Sequence, residues 1–213
     1  MHQPPFADLC REHEIYSRYL KYKTYKAASI IYSLGDPIDA FGIVTDGILK
    51  AETDTARGEE MCSAYFEEKD ILPEFLYFSG RRSYTYNLVA AKRTTVAWMP
   101  ASRFVEMIEE DTRMMYSLLL YVSQRGLKNQ LQLNCLNYQT IRQRVAFWLV
   151  GMDHLYEDGQ IPLPVSQTVW ANKLHVSRSS LNQELKKMEA LGYFRRNPRG
   201  LKLLDAEGLS GLL

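Results

Sequence analysis

The pattern of apolar and polar positions divides the chain into a β-rich part and a helical part. From about Thr24 to Met99, short apolar runs alternate with turn signals such as Gly35-Asp36-Pro37 and Asp46-Gly47. Runs of this length, separated by Gly, Asp and Pro, are typical of antiparallel strands in a sandwich or roll. We therefore predict strands over residues 29–33, 41–44, 48–52, 60–66, 84–90 and 95–99.

Two other segments have the spacing of helices. Upstream of the strands, tyrosines recur at positions 16, 19, 22 and 25, which suits a stripe along one helix. Downstream of Pro100 the pattern is helical up to Gly192, apart from a turn at Glu157-Asp158-Gly159 and a short extended piece over 161–164. Two short strands then follow around a Pro-Arg-Gly turn. The predicted helices span 101–110, 111–137, 140–155, 167–174 and 178–191, and the predicted strands span 193–196 and 201–204.

The helix predicted over 111–137 has apolar positions that step by four and three. This heptad-like spacing favours a helix that pairs with its counterpart in a second copy of the chain. An amphipathic helix packed on its own β domain is the alternative. Gly126 would let two backbones approach closely, and Asn129 would fix their register. The seam consists of Met115, Leu119, Val122, Gly126, Asn129, Leu133 and Leu136.

Length and composition are those of an ordinary globular protein of one or two domains, with 213 residues, 46% hydrophobic and 24% charged. The longest apolar runs are too short to span a membrane, and the first residues do not resemble a signal peptide. Cys10, Cys62 and Cys135 are too few and too scattered for a disulfide framework. We therefore expect a cytoplasmic protein with no membrane partner.

The distribution of charge is uneven. The segment 165–204 contains eight Lys and Arg residues against two acidic residues, a net charge of +6. Because the whole chain carries +1, the remainder carries −5. A basic C-terminal module on an acidic body is a reason to consider nucleic acid as a partner, although a solvated helix face gives the same count.

The same segment has the spacing of a winged helix-turn-helix. Ser166 and Ser177 are suited to cap the two helices, and Ala171 is small where the helices would cross. His175 occupies the first turn position, where Gly is commonest, and His tolerates the left-handed backbone conformation better than a β-branched residue. The two strands that follow would form the wing, and an ordinary helical hairpin is the alternative.

In such a module the second helix enters the major groove with its N-terminus first. Arg178, Ser179, Asn182 and Gln183 would then face bases, because Arg can bind guanine and Asn or Gln can bind adenine. Phosphate contacts are expected from basic residues farther along the helix and on the wing. The predicted DNA-binding residues are Ser177, Arg178, Ser179, Ser180, Asn182, Gln183, Lys186, Arg196 and Arg199.

A β-roll, a long helix and a winged helix-turn-helix in this order resemble the CRP/FNR family of bacterial transcription regulators. In the β-roll the resemblance lies in Gly35-Asp36, Val44-x-x-Gly47-x-Leu49-Lys50, Lys69-Asp70-Ile71-Leu72 and Arg82-Ser83. At the C-terminus it lies in Arg144-Val145-Ala146 and in residues 176–181, Val-Ser-Arg-Ser-Ser-Leu. The resemblance implies homodimers formed through the long helix, RNA polymerase as a partner and a small-molecule effector bound in the roll.

The effector site departs from the cyclic-nucleotide binders of that family. They have a Gly-Glu pair, a short helix and Arg-Ser, whereas this chain has Pro73-Glu74, an aromatic segment and Arg82-Ser83. Pro73 lacks the N–H that a cyclic phosphate would use. We therefore expect an effector other than cyclic AMP, and the aromatic residues favour an aromatic molecule unless they form the core of the roll. The predicted effector-binding residues are Glu74, Arg82, Ser83, Tyr84 and Asn129.

No cofactor, metal site or catalytic residue is expected. Cys10 lacks the companion cysteines of an iron–sulfur site, and no histidine lies in the central roll where a haem ligand would be needed. Cys10-x-x-His13 is at most half of a zinc site, and the sequence has no nucleophile-elbow motif. A non-enzymatic protein is therefore expected, and an enzyme with an unrecognised site is the alternative.

These observations predict an α+β fold. An antiparallel β-roll of the cyclic-nucleotide-binding type (a double-stranded β-helix) over 1–110 precedes a central dimerisation helix over 111–137 and a winged helix-turn-helix over 138–213. The predicted function is a homodimeric transcription regulator that binds double-stranded DNA at a near-palindromic operator under the control of a small molecule. The alternative is a ligand-binding regulatory module whose C-terminal domain contacts protein.

Overall fold

The structure is a computed structural model that describes residues 5–54, 60–154, 160–163, 166–198 and 200–213. The helices are α1 (Phe6–Glu12), α2 (Glu74–Phe78), α3 (Ala101–Glu110), α4 (Thr112–Cys135), α5 (Ile141–Asp153), α6 (Gln167–Lys173), α7 (Arg178–Ala190) and α8 (Ala206–Ser210). The strands are β1 (Lys21–Tyr25), β2 (Ile30–Tyr32), β3 (Ala40–Asp46), β4 (Leu49–Asp54), β5 (Glu60–Phe66), β6 (Ile71–Leu72), β7 (Asn87–Ala90), β8 (Thr94–Pro100), β9 (Gln160–Ile161), β10 (Phe194–Asn197) and β11 (Gly200–Leu203).

The chain divides into two compact units, Met1–Val122 and Ser123–Leu213. In the first unit, two four-stranded antiparallel sheets have the orders β1-β8-β3-β6 and β2-β7-β4-β5. Val44 and Val96 from one sheet share a buried cluster with Leu49 and Leu88 from the other. The apolar alternation of the strands therefore fills the space between the sheets, and the predicted antiparallel roll is confirmed.

Helices cover the outer side of the first sheet. Phe104 and Met107 of α3 pack with Phe6 of α1, with Phe41 of β3 and with Leu118 on the first half of α4. The rings of Phe41 and Phe104 stack with their centroids 3.9 Å apart. The sheet is thus buried on both sides, which explains why β3 is nearly continuously apolar.

The predicted tyrosine helix is wrong. Tyr16 and Tyr19 lie on a short 3-10 helix, whereas Tyr22 and Tyr25 lie on β1, which pairs with β8. A spacing of three residues suits a helix, but here the four tyrosines are divided between the 3-10 helix and β1. The division arises because the backbone becomes extended at Leu20. The pairing of β1 with β8 is a long-range interaction that local spacing does not reveal.

The second unit has a three-stranded antiparallel sheet with the order β10-β11-β9, accompanied by α5, α6, α7 and α8. Its core includes Trp148 of α5 and Trp170 of α6, whose ring centroids are 4.8 Å apart. Leu181 and Leu185 of α7 are buried in the same cluster. The predicted winged helix-turn-helix is confirmed as the C-terminal part of the fold.

Side-chain caps define several helix starts. Thr140 and Gln143 form a capping box at the start of α5, and Ser166 accepts a hydrogen bond from the N–H of Val169 at the start of α6.

None of the helices among the described residues is both long and apolar enough to cross a membrane.

Candidate nucleic-acid interface and effector site

The turn between α6 and α7 is tightly held. His175 has a positive φ of 53°, and the N–H of Val176 donates to the carbonyl of Ala171 at 3.0 Å. Arg144 of α5 donates from Nη1 to the carbonyl of Leu174 at 2.8 Å, which ties the turn to the body of the unit. The angle between α6 and α7 is therefore set by backbone hydrogen bonds and by one half-buried arginine.

The first turn of α7 is organised by Ser177. Its Oγ accepts a hydrogen bond from the N–H of Ser180 at 3.0 Å and lies 2.9 Å from the Oγ of Ser179 and 2.8 Å from the Oγ of Ser180. Ser177 thus pairs with one of the N–H groups that a helix start leaves without an intrahelical acceptor. In this structure its hydroxyl serves as a cap, and its predicted role in DNA binding stays a prediction.

The predicted DNA-binding residues of α7 include four expected to contact bases and Lys186, which is expected to contact phosphate. Since each residue turns the helix by about 100°, Ser179, Gln183 and Lys186 lie at the centre of the outward face, and all three are exposed. Arg178, which is exposed, and Asn182, which is half-buried, lie on the side that faces the wing. The structure therefore brings these residues together on one surface with Arg178 at its N-terminal edge.

Each edge of this outward face carries a glutamate bound to an arginine of a neighbouring element. On the α5 side, the Nε of Arg142 donates to Oε1 of Glu184 at 2.6 Å. On the wing side, Arg196 of β10 donates from Nε and Nη2 to Oε2 of Glu189, at 2.8 and 2.5 Å. The backbone N–H of Arg196 also donates to Oε1 of Glu189 at 2.9 Å.

These hydrogen bonds from Arg196 lower the pKa of the Glu189 carboxyl, which therefore stays ionised. The sequence predicts Arg196 as a DNA contact, whereas in the structure its guanidinium faces α7. The sequence does contain a signal for these pairs, because Glu184 and Glu189 are the acidic residues of an otherwise basic helix. Sequence spacing alone predicts neither the role of Arg142 nor the pairing of each glutamate with an arginine.

The wing is the hairpin of β10 and β11, in which Arg195 is opposite Lys202. The side chain of Arg195 is exposed, unlike that of Arg196, which is half-buried. Because successive side chains on a strand point to opposite faces, the two arginines serve different surfaces. Arg199, predicted to contact phosphate, lies outside the described residues.

The predicted effector residues lie in different surroundings. Glu74 begins α2 and is almost fully buried, at 1% exposure. The guanidinium of Arg82 lies over the ring of Tyr77 at 4.6 Å and donates to the carbonyls of Tyr77 and Arg81, both at 3.1 Å. Ser83 is exposed, and its backbone forms an isolated antiparallel β-bridge with Pro37. The side chain of Arg82 is thus directed toward the surface beside α2.

Tyr84 lies in the core of the roll rather than on an open surface. It is 1% exposed, and its ring stacks on Tyr32 with centroids 4.4 Å apart. Tyr86 approaches the same ring edge-on at 5.7 Å. Burial of the phenol raises the pKa of Tyr84, so its hydroxyl stays protonated. Tyr84, one of the predicted effector-binding residues, therefore packs on other aromatic residues of the roll in this structure.

A small cavity of about 270 Å³ lies beside α2 in the first unit. It is lined by Glu74, Phe75, Phe78 and Ser79 and by Val122 of α4. Phe75 and Phe78 are 42% and 47% exposed, so the lining is largely apolar and open to solvent. Asn129, the remaining predicted effector residue, is exposed on the part of α4 that belongs to the second unit.

Part of the predicted seam of α4 lies on the surface of the single chain, whereas Val122 is half-buried against the core of the first unit and Leu136 lies beyond the end of the helix. Met115, Leu119 and Leu133 are 47%, 63% and 65% exposed. Apart from its chain neighbours and the adjacent backbone of α4, a Cβ added at Gly126 would have no atom of the described residues within 4 Å, so this position is open. Exposed apolar side chains along one stripe of a helix are a feature of surfaces that pair with another protein.

Two family models match the chain in sequence order. The Cyclic nucleotide-binding domain matches residues 22–111, and the Crp-like helix-turn-helix domain matches residues 143–212. The chain is 23% identical over 195 residues to the Transcriptional activator protein anr of Pseudomonas aeruginosa, a match that covers 88% of this chain and 78% of that protein.

Solved structures show the same fold. A CooA mutant from Carboxydothermus hydrogenoformans superposes with a TM-score of 0.68 at 17% identity, covering 100% of this chain and 97% of that chain. FixK2 from Bradyrhizobium japonicum gives a TM-score of 0.63 at 18% identity, covering 91% of this chain and 96% of that chain. The fold and the order of its parts thus agree between the two kinds of comparison.

Proposed function

Because this chain belongs to the CRP/FNR family of bacterial DNA-binding transcription regulators, we propose that it acts as a homodimer on a near-palindromic operator. The observation that supports DNA binding is the outward face of α7, where Ser179, Gln183 and Lys186 are exposed beside Arg178. A helix of this kind inserts its N-terminal residues into the major groove. Arg178 would bind guanine, and Lys186 would contact phosphate.

The proposed dimer forms through the seam of α4. Its support is the stripe of exposed apolar side chains at Met115, Leu119 and Leu133 together with the open position at Gly126. A two-fold pair of long helices carries two copies of α7, so that each copy reads one half-site. The operator would then be an inverted repeat with half-sites about one helical turn apart.

The proposed effector is a small molecule other than cyclic AMP that binds beside α2. The cavity next to Phe75 and Phe78 and the surface guanidinium of Arg82 support this location. An effector there would shift the population of two arrangements of α4, since α2 and α4 both line the cavity. The regulator needs no cofactor or catalytic residue in this scheme, and RNA polymerase is its proposed protein partner.

The experiment is a titration of fluorescently labelled duplexes with the purified full chain at several salt concentrations. Neutralisation of phosphates by Lys and Arg releases counterions, so the logarithm of the association constant should fall steeply with the logarithm of the salt concentration. We expect such a slope on every duplex and higher affinity on an inverted repeat. A slope near zero would contradict the proposed binding mode.

A further inference from the structure

The two glutamates of α7 differ from its other charged residues in that each is bound by an arginine from a different element. Glu184 is bound by Arg142 at the start of α5, and Glu189 is bound by Arg196 on the wing. The side chains of the two glutamates are 16% and 29% exposed. The pairs stand at the two edges of the outward face of α7, one on each side of the exposed residues at positions 179, 183 and 186.

We propose that Arg142 and Arg196 are positioning residues for DNA binding, which act through Glu184 and Glu189 by neutralising the two carboxylates beside the recognition surface of α7. This proposal rests on the proposed function. Without the two arginines, two negative charges would stand beside a surface that must approach a polyanion.

The geometry of Arg196 distinguishes this role from a phosphate contact. Two of its guanidinium nitrogens and its backbone N–H all donate to Glu189. A charge-assisted contact of this kind is directional and holds both partners. Arg195, the preceding residue on the same strand, is exposed and lies on the opposite face. Arg195 is therefore the wing cation that is available to phosphate, and Arg196 acts through Glu189.

The test is a double-mutant cycle measured as affinity for a labelled duplex enriched from a pool of random sequences. Arg196→Ala should weaken binding about three- to tenfold, the range for a typical net hydrogen-bond contribution in water, because both partners are partly exposed. Glu189→Gln should change affinity by less than about twofold, because the amide keeps the shape without the charge. The double variant should recover to within about twofold of the wild type.

Arg195→Ala is the matched control, since it removes one arginine from the same strand. It should weaken binding by the same factor whether or not the protein also carries Glu189→Gln. Its salt slope should fall by about 0.9 for each phosphate that the arginine no longer neutralises. A purely structural role would not separate the two arginines in this way, and a salt slope near zero in the wild type would instead contradict the proposed function itself.

Two results would overturn the proposal. If the double variant binds as weakly as Arg196→Ala, Arg196 contacts DNA directly, and Glu189→Gln should then bind more tightly than the wild type. If Arg196→Ala binds as the wild type does, the pair is irrelevant to DNA binding. Should Arg196→Ala fail to fold, Arg196→Gln provides the same cycle, because glutamine removes the charge but keeps most of the length of the side chain.

The pair on the other edge gives an independent measurement. Arg142→Ala should weaken binding, and addition of Glu184→Gln should restore it, by the same reasoning as for the wing. Restoration at one edge and none at the other would contradict the proposal at the edge that does not respond. Equally weak binding of the single and double variants at both edges would contradict it entirely.

Discussion

The hydroxyl of Tyr121 accepts a hydrogen bond from the backbone N–H of Ile71 at 2.9 Å. The same hydroxyl lies 3.3 Å from Oδ1 of Asp70, to which it donates. Tyr121 belongs to α4 and Ile71 to β6, the strand that leads through Pro73 into α2. One side chain therefore connects the long helix to the segment beside the proposed effector site.

Replacement of Tyr121 by Phe should weaken this connection. Loss of the hydroxyl removes the acceptor of the Ile71 N–H, and an unsatisfied group of this kind costs about 1–3 kcal/mol. We expect faster amide hydrogen exchange at Ile71 and lower stability of the first unit to urea. Tyr116→Phe is the control, since Tyr116 is on the same helix and 61% exposed. Equal exchange in both variants would show that the hydroxyl contributes nothing.

The start of α4 should be sensitive to acid. Oδ2 of Asp111 accepts a hydrogen bond from Nη2 of Arg113 at 2.7 Å, and the Arg113 guanidinium lowers the pKa of Asp111 to about 2. Because the folded pKa lies below the unfolded value, the stabilisation is present above about pH 4 and is lost as the pH falls toward about 2. Oδ1 of Asp111 also accepts a hydrogen bond from the backbone N–H of Arg113 at 2.8 Å, so Asp111→Asn should retain this cap but lose the pH dependence.

Thermal unfolding between about pH 5 and about pH 2 measures this difference, since that range includes both the unfolded and the folded pKa of Asp111. We expect the wild type and Asp111→Asn to converge at the acid end, where Asp111 becomes protonated. Parallel curves over the whole range would mean that the charge of Asp111 does not contribute.

Dimerisation should depend on the exposed stripe of α4. Leu119→Glu together with Leu133→Glu would place charges in the proposed seam, where burying an unpaired charge is strongly unfavourable. Analytical ultracentrifugation should then show monomers. Gln124→Glu, on the opposite side of the helix, should leave the wild-type mass unchanged. A double variant that still sediments as a dimer would place the interface elsewhere.

Cyclic AMP should bind poorly. Pro73 offers no N–H at the start of α2, and the Arg82 guanidinium is stacked on Tyr77. Calorimetric titration of the full chain with cyclic AMP should give no saturable heat. If a saturable signal appears, Arg82→Ala decides its origin, since loss of a charged hydrogen bond should weaken binding by about 1.5–3 kcal/mol. Saturable binding that needs Arg82 would contradict our interpretation of the site.

The helical part of the fold is more predictable from sequence than the first β-strand. Caps at Thr140, Ser166 and Ser177 mark helix starts locally, because the capping side chain and the N–H it binds are three residues apart. The order β1-β8-β3-β6 depends on pairs distant in sequence, and the tyrosine spacing around β1 suggests a helix instead. Long-range pairing leaves no local periodicity to detect.

The sequence predicts which residues form the candidate DNA surface, but it does not predict which side chains they bind within the protein. Lys186 and Gln183 are exposed on α7, in agreement with their placement on an outward helix face. In the sequence, Arg196 is one more wing cation, and only the three-dimensional arrangement shows its hydrogen bonds to Glu189. The roll shows the same limit, because burial of Tyr84 on Tyr32 depends on strands far apart in sequence.

The central claim is that two copies of α7 read an inverted repeat with Arg178 over a guanine. Selection of bound duplexes from a random pool, performed with the wild type and with Arg178→Ala, tests it most directly. The wild type should enrich two inverted half-sites about one helical turn apart. Arg178→Ala should lose about 1–3 kcal/mol on that site and the base preference at one position in each half-site. Enrichment of a single asymmetric site, or an unchanged base preference in the variant, would contradict the account.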